Sequence, residues 1–199
     1  MFGRRGVAAH EVVSPPCRRT TTTRRRSYFW SGQTPARGPL YFFNSLLVDR
    51  LLPVRRLLDA SSDRDNPSAE ELDELFHRMR TIAVVGISRD PLKTARRIPS
   101  YLAAKGYEII PVNPVASRIL GKDAIPSLDA LTDPVDMVLL FRPSNQVGAF
   151  VIQATERPER PTIWLQEGIT AETEIRAARA NGICAVQDLC SYKVHRALQ

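Results

Sequence analysis

The run Thr81-Ile82-Ala83-Val84-Val85-Gly86-Ile87-Ser88 constrains this chain more than any other. Ile82 to Val85 leave neither face of a strand polar. A strand buried on both faces belongs in a parallel sheet between helix layers. This one ends in Gly86 and a small polar residue, Ser88. The turn after the first strand of such a sheet is where a phosphate-bearing ligand is usually held. What that turn accepts therefore bears directly on function.

From residue 81 onward strand and helix patterns alternate. Strands are expected at 82–86, 107–112, 136–141, 162–166 and 183–187, and helices at 95–105, 127–131, 144–156, 171–181 and 191–198. Gly106 and Gly182 fall at helix C-caps, Ser144 and Thr170 at N-caps. Ahead of them, Ser68-Ala69-Glu70-Glu71 reads as a capping box, followed by Leu72, Leu75, Phe76 and Met79 at helical spacing. The fold expected is α/β: a Rossmann-like, doubly wound, five-stranded parallel sheet with helices on both faces. Right-handed crossovers favour the order 3-2-1-4-5.

Residues 1–58 have another character. They hold eleven Arg and no Lys against two acids, Glu11 and Asp49, a net +9. Residues 59–199 hold 17 basic against 19 acidic residues, a net −2. The high overall charge thus belongs to the N-terminus, and the pI of 9.8 argues little for nucleic acid as a partner. Two units are expected: a disordered Arg-rich extension over 1–66 and a ligand-binding domain over 67–199. The extension reads three ways: as an organelle transit peptide, as a basic arm, or as an overextended reading frame. Leu40-Tyr41-Phe42-Phe43, Leu46-Leu47, Leu51-Leu52 and Leu57-Leu58 are compatible with a short helix. Cys17, Cys184 and Cys190 lack metal-ligand spacing and are too few for a disulfide framework. No apolar run of membrane-spanning length occurs. A cytoplasmic location is the simplest expectation, organelle targeting the alternative.

A nicotinamide site needs three spaced glycines and an acid ending the second strand. Here only Gly86 is present, and the second strand ends in Val112-Asn113-Pro114. The first turn is basic instead, with Arg89, Lys93, Arg96 and Arg97. Amides after Gly86, together with Ile87, Ser88 and a helix N-terminus, suit a diphosphate, and the surplus cations suit one phosphate more. The other reading of these arginines is an ordinary solvated helix face.

Five segments together carry a resemblance: Ile82 to Ser88, Lys105-Gly106-Tyr107-Glu108-Ile109-Ile110-Pro111-Val112-Asn113-Pro114, Pro134-Val135-Asp136 through Phe141-Arg142-Pro143, Trp164-Leu165-Gln166-Glu167-Gly168-Ile169, and Asp188-Leu189-Cys190 with His195. In order and spacing the chain resembles the stand-alone CoA-binding domain proteins, which are similar to the N-terminal domain of the succinyl-CoA synthetase alpha subunit. The resemblance implies coenzyme A as ligand, with its nucleotide over Gly86, Ile87, Ser88 and Arg89, flanked by Lys93 and Arg97. Asn113 and Pro114 would lie beneath it, Phe141, Arg142 and Pro143 at the adjacent strand end, and Gln166, Glu167 and Gly168 along the pantetheine. The chain departs from its relatives at Leu92-Lys93-Thr94.

Asp188, Cys190 and His195 also invite a nucleophilic reading. Against it stands packing: Cys190 at the strand end, Asp188 capping the last helix, His195 against its own helix. The function expected is a small non-catalytic protein binding CoA or an acyl-CoA, without membrane partners. The alternatives are an NAD(P)-type oxidoreductase or one component of an acyl-CoA ligase; a complete ligase has no room here. A homo-oligomer is left open.

Overall fold

The computed structural model describes residues 40–199, with side chains from residue 50 onward. Most of the Arg-rich segment therefore lies outside the described residues. Helix α1 (Leu40–Ala60) and helix α2 (Ala69–Arg78) lead into strand β1 (Thr81–Val85). Then follow α3 (Thr94–Ala104), β2 (Glu108–Val112) and a two-stranded hairpin, β3 (Arg118–Ile119) and β4 (Lys122–Asp123). The chain continues through β5 (Met137–Leu140), α4 (Ser144–Thr155), β6 (Thr162–Leu165), α5 (Glu172–Ala180), β7 (Ala185–Val186) and α6 (Ser191–Ala197).

The main sheet is five-stranded and parallel, in the order β2-β1-β5-β6-β7. Side chains alternate strictly between its two faces. Ile82, Val84, Met137, Leu139 and Trp164 enter one core with residues of α1, α2, α3 and α6. Ala83, Val85, Val138, Leu140, Ile163 and Leu165 enter the other, with residues of α4 and α5. Double-sided burial explains why these strands read as continuous apolar runs.

The expected order 3-2-1-4-5 is not the one found. Counting only the five parallel strands, the order is 2-1-3-4-5. Pro111 gives the reason. Proline lacks an N–H for a ladder, so it is confined to edge strands. Its carbonyl faces away from β1 and accepts from Ile125, while the Asn113 amide donates to the Ile125 carbonyl, both at 2.9 Å. The stretch after the hairpin thus covers the β2 edge. The hairpin itself was not foreseen.

Three local expectations also change. Residues 127–131 form a turn, not a helix. The Arg157 guanidinium takes the carbonyls of Leu128, Leu131 and Asp133. Ser144 is the first residue of α4 and not its cap; its hydroxyl accepts from the Thr170 amide at 3.0 Å. Ala171, not Thr170, holds the cap position of α5. By contrast, the Ser68–Glu71 capping box forms in both directions.

Residues 50–66 pack on the domain, upstream of its expected start at residue 67. Leu51 and Val54 are buried in the core. Arg50 and Arg55 of α1 pair with Asp73 and Glu70 of α2. Asp63 accepts from Arg179 of α5 at 2.7 Å. The apolar spacing of α1 could have signalled this packing; the surrounding arginines and prolines hid it. Among the described residues, no helix is long and apolar enough to cross a membrane.

Candidate ligand site at the sheet switch point

In a doubly wound sheet the ligand crevice opens at the carboxyl strand ends, where the strand order reverses. With β5 beside β1, the reversal lies between Gly86 and Phe141-Arg142. The order 3-2-1-4-5 would have placed Gln166-Glu167-Gly168 there instead. The corrected topology gives the third strand end the central place.

Gly86 is required twice over. Its φ is +81°, and a Cβ there would sit 2.8 Å from the Phe141 carbonyl oxygen and 2.9 Å from Arg142 Cδ. Ile87 is fully buried, so only its backbone faces the site. The Ser88 amide donates to the Ala95 carbonyl at 3.2 Å. Its hydroxyl oxygen accepts from the Asp90 amide at 3.1 Å. The turn is thus internally tied, and the Ser88 hydroxyl proton is what it offers outward.

The cations around this turn are uncommitted. Arg89, Lys93 and Arg97 are exposed and make no side-chain hydrogen bond or ion pair among the described residues. Arg142 spends one nitrogen on Gln146, at 2.7 Å, and its guanidinium lies 6.0 Å from the Phe150 ring centre. Arg142 Nε and Arg96 Nη1 are buried without a hydrogen-bond partner. Buried donors left unpaired are costly, and natural proteins rarely keep them without cause. Arg96 was read only as part of the basic turn; its orphaned nitrogen is legible in three dimensions alone. These groups fit a multiply phosphorylated anion such as coenzyme A.

The remaining candidates are engaged internally. Asn113 Nδ2 donates to the Ile87 carbonyl at 2.9 Å, and its Oδ1 accepts from the amides of Val115 and Ala116. No carboxylate for ribose hydroxyls stands at the end of β2. Pro114 and Pro143 are exposed at their strand ends. Gln166 is buried and pairs with Ser191 through both ends of its amide. Glu167 pairs with Lys193 at 2.6 Å, which raises the lysine pKa. Gly168, at φ +78°, donates its amide to Asp188 at 2.7 Å.

Asp188, Cys190 and His195 do not converge. Burial would raise the Asp188 pKa, but hydrogen bonds from Ser62 and Gly168 outweigh it and hold the carboxyl below its usual range. It therefore joins the α1–α2 connection to the loop after β6; it does not cap α6, whose cap position Cys190 holds without a side-chain bond. His195 is buried, with Nδ1 2.9 Å from the Tyr101 hydroxyl and its ring against Phe76, Tyr101 and Tyr107. Burial, with a smaller contribution from Lys105, lowers its pKa. Asp136, part of the resemblance, works at the opposite end of the sheet: it accepts from the amides of Arg80 and Thr81 at 2.7 and 2.9 Å.

Comparison with known proteins agrees with this fold. The profile of the CoA binding domain matches residues 80–196. The chain belongs to the CoA-binding domain family. It is 35% identical over 130 residues to YneT of Bacillus subtilis (strain 168), covering 65% of this chain and 96% of that one. It is 27% identical over 121 residues to acetate–CoA ligase (ADP-forming) II of Archaeoglobus fulgidus, of which it spans 18%. Among solved structures, cell-free ID.343 from Thermus thermophilus superposes with a TM-score of 0.61 at 34% identity, covering 65% of this chain and 98% of that one. The family match begins at residue 80 and so leaves α1 and α2 outside.

Proposed function

We propose that this protein binds coenzyme A, free or acylated, at the crevice between the ends of β1 and β5, and that it does so without catalysing a reaction. The observation that carries the reading is the set of cations at one switch point: Arg89, Lys93 and Arg97 exposed and unpaired among the described residues, Arg96 and Arg142 each with an orphaned buried nitrogen. In this reading the nucleotide lies over Gly86, Ile87, Ser88 and Arg89. Asn113 and Pro114 shape the floor through their backbone, Phe141, Arg142 and Pro143 form the far wall, and Gln166, Glu167 and Gly168 lie further along. The internal pairing of Asn113 and Gln166 supports a shaping role over direct side-chain contact. The separate engagements of Asp188, Cys190 and His195 support a binding protein over a nucleophilic enzyme.

Likeness to a segment of an ADP-forming acetate–CoA ligase favours a second reading, in which the domain serves an acyl-CoA ligase whose other parts lie on another chain. Thermal-shift titration tests binding itself, because a ligand stabilises by mass action. CoA is expected to raise the melting temperature and NAD to leave it unchanged. An equal response to both, or none to CoA, overturns the proposal.

A further inference from the structure

A cavity of about 410 Å³ opens at the β7 edge of the sheet, two strands beyond β5. Small-molecule pockets commonly measure about 300–1,000 Å³. One wall is α5, with Glu172, Arg176 and Arg179; the other is the α1–α2 connection, with Asp63 and Asp65. Gln187 bridges the two, its backbone held by Asn66 and its Nε2 donating to Glu172 at 3.1 Å. Asp63 and Asp65 precede residue 80, so this wall lies outside the family match.

The walls are fixed to each other. Arg179 donates to Asp63 at 2.7 Å and to the Ala185 carbonyl at 2.8 Å. Asp63 also accepts from the Asp65 amide at 2.9 Å. Asp63, Arg179 and Gln187 are thereby spent on structure, and two charges are not. Arg176 and the Asp65 carboxylate make no side-chain hydrogen bond or ion pair among the described residues. Arg176 follows Glu172 by four residues on α5, the spacing and order at which a glutamate and a cation pair on a helix. That pair is not formed, and Glu172 accepts from Gln187 instead. The cavity thus offers a free guanidinium on one wall and a free carboxylate on the other, which suits a zwitterion. Three of its five charged groups are acidic, a net negative charge that one further cation on the ligand would balance.

We propose that this cavity binds a basic α-amino acid of the lysine type, with its carboxylate on Arg176 and its ammonium groups on Asp65 and Glu172. The site is separate from the switch point and does not rest on the CoA-binding reading.

The test titrates the full chain by calorimetry with L-lysine, with cadaverine, which lacks the carboxylate, and with L-glutamate. Arg176→Gln and Asp65→Asn are titrated alongside. Both positions are exposed, and each variant's melting temperature without ligand verifies that it folds. L-Lysine is expected to bind and L-glutamate not to. Each variant is expected to weaken L-lysine about tenfold, the loss of one charge-assisted contact. Cadaverine should weaken with Asp65→Asn and stay unchanged with Arg176→Gln. Absence of L-lysine binding overturns the proposal, as does equal binding of L-glutamate. So does L-lysine affinity that neither variant alters, or cadaverine affinity that falls with Arg176→Gln. CoA affinity of both variants is expected to match the unsubstituted chain; a parallel loss of CoA and L-lysine binding overturns a separate site.

Discussion

The carboxamide of Asn66 pairs with both backbone groups of Gln187. Nδ2 donates to the Gln187 carbonyl at 2.9 Å, and Oδ1 accepts from the Gln187 amide at 3.0 Å. Gln187 follows β7, the last strand of the sheet, and an edge strand exposes groups that can template pairing with another chain. Asn66 supplies a one-residue imitation of a sixth strand. Asn66→Ala leaves a buried N–H and C=O unpaired, which is expected to cost about 2–3 kcal/mol, read as a lower urea midpoint with an unchanged slope. A loss under about 0.5 kcal/mol, the range of ordinary surface changes, refutes this account of the edge. A chain beginning at Ser68 is expected to lose more, because Leu51 and Val54 leave the core with it.

Gly86→Ala tests the switch point. Left-handed backbone costs a residue with a Cβ about 1–2 kcal/mol. The added carbon also meets the Phe141 carbonyl oxygen at 2.8 Å, and neither backbone can yield cheaply. A destabilisation of about 3 kcal/mol is expected in chemical denaturation. A near-neutral result would mean that β1 and β5 do not approach so closely.

The sheet was legible because burial on both faces makes β1, β5 and β6 continuous apolar runs, and Gly106 and Gly182 mark helix ends by chemistry local to them. The strand order was not, because the edge signal of Pro111 is weaker than the crossover argument that favoured 3-2-1-4-5. The candidate site divides in the same way. Gly86, Arg89, Lys93 and Arg142 are candidates by residue type and position, and the structure sets Gly86 against Arg142 across the strand ends. Asn113 and Gln166 look like ligands in the sequence, yet their amides are consumed by Ile87 and Ser191, across 26 and 25 residues of chain. Partners at such separations carry no periodic signal.

His195 gives the protein an acid-sensitive core. Burial lowers its folded-state pKa below the ordinary 6.5. The unfolded chain therefore binds more protons near and below pH 6.5, and stability rises with pH in that window. Going from pH 7 to pH 5, the denaturation midpoint is expected to fall. Asp63 and Asp188 act in the other part of the scale: hydrogen bonds hold both carboxyls below their usual range despite burial, so their contribution is lost only as pH falls below about 4. His195→Gln should flatten the slope between pH 5 and 7, whatever its effect on absolute stability. An unchanged slope in that variant would assign the pH dependence elsewhere.

Arg142→Ala separates binding from folding. The side chain is half-buried and its Nε has no partner, so removing it forfeits one hydrogen bond to Gln146 and the contact with the Phe150 ring. Stability is expected to change by about 1 kcal/mol or less. A charge-assisted contact to phosphate is worth about 1.5–3 kcal/mol, so CoA affinity is expected to fall about tenfold or more. Comparable affinity in the two proteins, measured by calorimetry, would remove Arg142 from the ligand site.

Cys190 is expected to behave as a packed thiol and not as an activated nucleophile. It is only 9% exposed, and no hydrogen bond joins it to His195 among the described residues. His195 spends Nδ1 on Tyr101 and is enclosed by Phe76, Tyr101 and Tyr107, so no base stands poised to take the thiol proton. A reactive cysteine needs an activating base and access; His195 is engaged elsewhere, and burial denies the thiol access. Iodoacetamide labelling of the native protein at pH 7.5, followed at Cys190 by peptide mass mapping, should run far slower than in the urea-unfolded chain. His195→Gln should leave the native rate unchanged. Fast native labelling that drops when His195 is replaced would restore the nucleophile, and with it a catalytic reading of this strand end.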